Sequence, residues 1–247
     1  MMAMPLFSTR GNRMLYAGCA LLLVIIIGAI FADHVSPYNP LLPDYAIRLQ
    51  APGTDHFFGT DELGRDILSR VLHGSRVSLA IGFLSQIIAY AIGISLGMIA
   101  GWYGRWMDDV LMRVADIFFA VPGLMFLVVW NLVFGSDTVG LAIALGVLGW
   151  PESARLIRAQ VLAARAREYI VAAQAIGVPV HRILRVHLFP NTVAPLIGLM
   201  PLGIAGAILS EATLSFLGLG VKIPLPTWAN MVDTGRQYIS SAWWYMV

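Results

Sequence analysis

The chain has 247 residues, of which 58% are hydrophobic and only 12% charged, with a mean hydropathy of +0.77. Soluble domains carry about 25% charged residues, so this composition excludes an ordinary water-soluble globule and turns length into a count of membrane spans of about 20 residues each. A net charge of +2 offers no bulk basicity for nucleic acid, and the single cysteine, Cys19, excludes an internal disulfide or a multi-cysteine metal site.

Met14 to Ala32 carries no charge between Arg13 and Asp33. As a helix it would extend about 28 Å, close to the thickness of the hydrocarbon core, so a first span is predicted over residues 14–32. A signal peptide is the competing reading of Arg10, Arg13 and the apolar run, but the run is long for one and no small-x-small cleavage site follows. Cys19 lies inside this run and reads as inert packing.

Residues 33–76 form a polar interval whose first half holds Pro37, Pro40, Pro43 and Pro52. Each ring removes a donor and restricts its neighbour, which predicts an external loop. Asp61, Glu62, Arg65 and Asp66 in this loop read as a structural network rather than a catalytic carboxylate pair, with contact to a partner protein as the sharper alternative. His34, His56 and His73 share the loop at spacings that match no metal-ligand pattern.

A second span is predicted over 77–103, with glycines and Ser95 that let helices approach closely in lipid. Trp102, Tyr103 and Trp106 beside Arg105, Asp108, Asp109 and Arg113 have the composition of a membrane boundary. A third span is predicted over 117–134, with Pro122 near its start, and a short fourth over 138–154 after the Gly135-Ser136-Asp137 turn. Glu152 to Arg185 is then the most polar interior stretch, which predicts a cytoplasmic loop over 155–187, followed by a fifth span over 188–210 and a second external loop over 211–242.

Orientation follows from the basic residues. With the N-terminus inside, the cytoplasmic face carries Arg10, Arg13, Arg105, Arg113 and the six arginines 155, 158, 165, 167, 182 and 185, against six basic residues outside, which predicts a cytoplasmic N-terminus. Arg155, Arg158 and Arg165 share one helical face, a pattern open to contact with lipid phosphate or with a partner protein. No ionisable group falls near the middle of a predicted span, which disfavours an ion-coupled secondary carrier. Gln86, Asn131 and Asn191 are the polar side chains in or beside spans, and Glu211, at the outer end of the fifth, is a candidate pathway or gate residue.

The stretch Arg167-Glu168-Tyr169-Ile170-Val171-Ala172-Ala173-Gln174-Ala175-Ile176-Gly177 reads as a short Ala-rich helix ended by a glycine able to adopt a left-handed cap. Pro179 opens a second segment that runs into Leu188-Phe189-Pro190-Asn191 at the membrane. Ala172-Ala173, Gly177, Ile183 and that Leu-Phe-Pro-Asn run resemble the EAA loop of ATP-binding-cassette importer permeases. The sequence departs from that pattern at Val171, where the family has a Glu, with Glu168 one turn away.

Three further segments resemble the C-type subunit of the subgroup that imports dipeptides, oligopeptides or nickel. They are Phe58 to Asp66 with Ser75-Arg76-Val77-Ser78-Leu79, Gly101-Trp102-Tyr103-Gly104 through Asp116, and Leu214 to Gly220 with Pro226 to Met231.

The resemblance implies an all-α integral membrane protein, one polytopic helical bundle over residues 1–247 with five spans and a sixth expected after Trp244, in a bacterial inner membrane. It further implies coupling to ATPases through Glu168, Ala172, Ala173, Gly177 and Pro190. The partners implied are a second homologous permease, two cytoplasmic ATP-binding subunits, an external substrate-binding protein and membrane lipid. No phosphate loop of the form G-x-x-x-x-G-K-[ST] occurs, so the expectation is a transport subunit that is not itself an enzyme and binds no cofactor, with ATP and Mg on the partners. Peptides are the expected cargo and nickel the alternative.

Overall fold

The computed structural model describes residues 9–246, and residues 1–8, Val247 and the side chains of residues 9–12, 14 and 15, Arg10 among them, lie outside what it describes. The described residues form helices α1 (Thr9–Ile30), α2 (Ala32–Val35), α3 (Ile67–Tyr103), α4 (Arg105–Ala120), α5 (Gly123–Phe134), α6 (Thr138–Arg165), α7 (Glu168–Ala175), α8 (Val180–Arg182), α9 (Phe189–Phe216) and α10 (Trp228–Gly235). A π-helical stretch, Ile183–Leu188, joins α8 to α9, and the described residues contain no β-strand. Contacts divide the chain into two compact units, residues 1–78 with 223–247, and residues 79–222, the division falling inside α3.

Several helices differ from the expected spans. α3 begins at Ile67, so residues 67–76 are helix rather than loop; Asp66 starts it by accepting from Ser69 N (2.8 Å) and Ser69 Oγ (2.6 Å). The expected continuous span 117–134 is broken. Val121 precedes Pro122 and is extended (φ −87°, ψ 124°), as the proline ring requires of its predecessor, so α4 ends at Ala120 and α5 leaves it at 86°. α6 runs from Thr138 through Pro151 to Arg165, beyond the expected 154, and α9 continues past 210 to Phe216.

By length and composition, α3 and the continuous segment Val180–Phe216 can each cross a membrane, and the bent α4–α5 pair would make a third crossing. Tyr16–Ile30 of α1 is apolar but shorter. Most of α1 is exposed, including Cys19, which the sequence had suggested would pack.

In the unit of residues 79–222, glycines set the closest helix contact. Gly93, Gly97 and Gly101 recur every four residues along α3 and face α6. A Cβ on Gly97 would stand 2.5 Å from Ala154 O and 2.9 Å from Ile157 Cβ, and one on Gly101 2.8 Å from Val161 Cβ. Small residues at this spacing let two backbones meet where lipid supplies no hydrophobic drive for association. A core of Met98, Trp102, Ile157, Val161, Ala164, Ile170, Ile183 and Leu188 continues this contact toward α7 and the π-helical stretch.

Candidate coupling and translocation site

α7 is a two-turn helix between α6 and α8, and its ends follow from sequence. Glu168 lies in its first turn, where a carboxylate complements the exposed amides. At the other end Gly177 has φ +78°, its N–H donates to Gln174 O at 3.0 Å, and Val178 N–H donates to Ala173 O at 3.0 Å. These two bonds form a Schellman cap, which needs a residue in the left-handed region, and glycine occupies it without Cβ strain.

The two alanines of the motif face opposite ways. Ala173 is buried with Ile170 against the core of this unit, whereas Ala172 is exposed together with Tyr169, Val171 and Ile176, the last 81% exposed. Ile170 and Ala173 anchor α7 to its own chain, and an apolar edge flanked by Glu168 is left uncovered. Val171, at the position where a Glu was expected, belongs to that uncovered edge.

Pro190 lies at the first turn of α9, just after the π-helical stretch. Proline has no N–H to close an ordinary turn; here Phe189 N–H reaches back five residues to Leu184 O, and Asn191 Nδ2 donates to His187 O at 2.7 Å. The segment from Val180 to Phe216 thereby stays continuous.

α3, α6 and α9 enclose a cavity of about 580 Å³. Leucines of α6 and α9 supply the largest apolar share of its wall, and Gln86, Tyr90, Glu152, Ser153 and Ser210 supply its polar groups. Tyr90 Oη donates to Leu196 O at 3.0 Å, tying α3 to α9 beside the cavity. Glu211, expected as a pathway or gate residue, is fully buried, and its neighbour Ser210 is the one that lines the cavity.

Comparison with known proteins bears on what such a site serves. Residues 93–247 match the family described as "Binding-protein-dependent transport system inner membrane component", and residues 8–52 match "N-terminal TM domain of oligopeptide transport permease C". The chain belongs to this family of inner-membrane permeases.

Among relatives of the permease, the "Dipeptide transport system permease protein DppC" of Alkalihalophilus pseudofirmus is 38% identical over 95% of this chain and 77% of its own length. The "Oligopeptide transport system permease protein OppC" of Bacillus subtilis is 37% identical over 92% of this chain and 74% of its own length. A chain of the "MetNI methionine ABC transporter" shares the fold, with a TM-score of 0.54 over 70% of this chain and 82% of that one, at 19% identity. The permease is therefore a C-type component of an ATP-binding-cassette importer and a multi-pass inner-membrane protein.

Within the permease, the three arginines of α6 bind neighbours in the same chain rather than standing free. Arg158 grips Asp108 of α4 through both carboxylate oxygens (Nη2 to Oδ2 2.6 Å), Arg155 pairs with Asp116, and Arg165 Nη1 donates to Trp102 O at 2.7 Å. They brace α6 against α4 and the end of α3. Asn131 likewise acts in packing, its Nδ2 donating to Leu219 O.

In the unit of residues 1–78 and 223–247, the acidic loop is a buried structural network, as its sequence suggests. Asp61, fully buried, accepts from Leu63 N (2.8 Å), Arg65 N (2.9 Å) and Arg65 Nε (2.6 Å), and lies 3.3 Å from Arg70 Nε. Asp66 also binds His56 Nδ1 at 2.9 Å, and Arg65 Nη2 donates to Glu62 at 2.9 Å. Gly64 (φ +76°) closes the turn so tightly against Asp44 O that a Cβ there would overlap it. Arg76 caps the end of α1 by donating to Ala29 O (2.9 Å) and Ile30 O (3.0 Å) while pairing with Asp33, and His73 contacts Asp33 at 3.1 Å. Among the described residues no three His, Cys, Asp or Glu side chains converge to hold a metal ion.

Sequence reasoning flagged Gln86 but missed Tyr90 and Glu152. The available signal was spacing: Leu145, Leu148, Gly149, Glu152 and Leu156 recur at three- and four-residue steps and form the face of α6 that lines the cavity.

Proposed function

We propose that the chain is one of two homologous permease halves of an ATP-driven importer for di- and oligopeptides. The uncovered apolar edge of α7, held rigid by Ile170, Ala173 and the Gly177 cap, is the observation that carries this reading. Exposed Tyr169, Val171, Ala172 and Ile176 give a partner ATPase a surface to grip, Glu168 adds a charge at its rim, and α7 transmits motion as a rigid body. Pro190 and the π-helical stretch form the joint through which displacement reaches α9. Glu211, buried in α9, would act by holding that helix in place rather than by meeting cargo.

ATP and Mg would be bound by two cytoplasmic ATPase subunits, with the permease N-terminus on the same side of the membrane. The loop that the buried Asp61/Arg65/Asp66 network holds in shape would carry the surface offered to an external binding protein. Peptide cargo is supported by the relatives named as dipeptide and oligopeptide transport permeases. The test is uptake of a labelled dipeptide and, in parallel, labelled nickel ion by cells with and without this subunit in an otherwise complete importer. Loss of dipeptide uptake alone is expected; loss of nickel uptake alone would replace the cargo and keep the architecture.

A further inference from the structure

Among the described residues Glu152 is the only carboxylate lining the cavity between α3, α6 and α9, and no Lys or Arg lines it. The arginines of its own helix point elsewhere, since Arg155 engages Asp116, Arg158 engages Asp108 and Arg165 engages Trp102 O. Among the described residues Glu152 takes part in no ion pair. Glu152 is exposed on this wall, so its carboxylate is open to an arriving cation, which would meet Tyr90 and Gln86 at the same wall.

Its neighbours suit an ammonium group. Tyr90 spends its hydroxyl proton on Leu196 O, so its oxygen keeps acceptor capacity. The carboxamide of Gln86 lies over the backbone of α9 at Gly203, where any Cβ would overlap it, and its oxygen is a further acceptor. Ser153 and Ser210 add hydroxyls. A cavity of about 580 Å³ is within the range that encloses a small organic molecule.

We propose that Glu152, with Tyr90 and Gln86, forms a transient subsite in the permease for the terminal ammonium group of a passing peptide-like zwitterion. The inference rests on the proposed function. The subsite would give the permease a voice in selectivity apart from that of the binding protein, and it holds cargo weakly enough to release it because one charge and a few acceptors meet it.

The test uses the complete importer, with both permeases, both ATPases and its binding protein, reconstituted in liposomes and supplied with labelled alanyl-alanine at saturating binding protein. Glu152→Gln should lower maximal uptake at least tenfold, about 1.4 kcal/mol. Glu152→Asp, which keeps the charge, should retain most of it. Unchanged uptake by Glu152→Gln overturns the subsite and leaves the proposed function standing, and equal losses in the Gln and Asp variants overturn it by showing a packing role. A wild-type importer that moves neither alanyl-alanine nor nickel overturns the proposed function and this inference with it.

Discussion

Tyr245 Oη donates to Glu62 Oε2 at 2.6 Å, joining residues 183 positions apart within one compact unit. Burial first, and then the nearby Glu62 carboxylate, push the Tyr245 phenol above its ordinary range, so it remains a donor at every working pH. Tyr245→Phe removes that donor and leaves Glu62 with Arg65 alone. A hydrogen bond to a charged group contributes about 1.5–3 kcal/mol, and the variant should unfold at a lower temperature in detergent by a corresponding step. An unchanged melting temperature would show that water replaces the phenol at no cost.

Gly177 has open space around the position of a Cβ, so a substitution there meets backbone strain and no collision. A non-glycine residue in the left-handed region costs about 1–2 kcal/mol, and a β-branched one is the least tolerated. Gly177→Val should insert normally yet uncouple transport from ATP hydrolysis, while Gly177→Asn should couple better than Val. Normal uptake per ATP in the Val variant would remove α7 from the coupling path.

Gly97 faces the opposite case, with Ala154 O and Ile157 Cβ where its Cβ would go. Gly97→Ala should cost about 1–3 kcal/mol by overpacking, and Gly97→Leu should prevent the α3–α6 contact from forming. Thermal unfolding for the first and the yield of folded protein for the second are the readouts. Wild-type behaviour of both would mean that the helices are not packed this closely.

Asp108 and Arg158 form a partly exposed, two-pronged pair between α4 and α6. A double-mutant cycle with Asp108→Asn and Arg158→Gln should give a coupling of about 0.5–1 kcal/mol, above that of an ordinary surface pair because the geometry is bidentate. Purely additive losses would argue against the pair.

The parts that were legible in the sequence are those set by local chemistry. Gly177 ends α7 and Pro179 opens α8 because backbone dihedral preference acts at single residues. The glycines within 77–103 signalled a close helix approach by their size, and the charged turn at Asp61 to Asp66 reads correctly as a structural network. The break at Val121 was signalled by Pro122, yet the uncharged run around it suggested one continuous span.

The sequence by itself determined that this is a helical membrane protein with a short glycine-capped helix between Arg167 and Gly177, because apolar runs, proline and glycine impose their effects locally. Tertiary structure alone decided which way each side chain of that helix faces, placing Ala173 inward and Ala172 outward, since the two differ only by what packs beside them. It also decided that the arginines of α6 are spent on Asp116 and Asp108, 39 and 50 residues away, and that Glu152 is left facing a cavity. Charges marked the expected ends of the spans, but a charge can sit within a long helix wherever a partner or a polar cavity meets it, and that meeting is a property of three-dimensional packing.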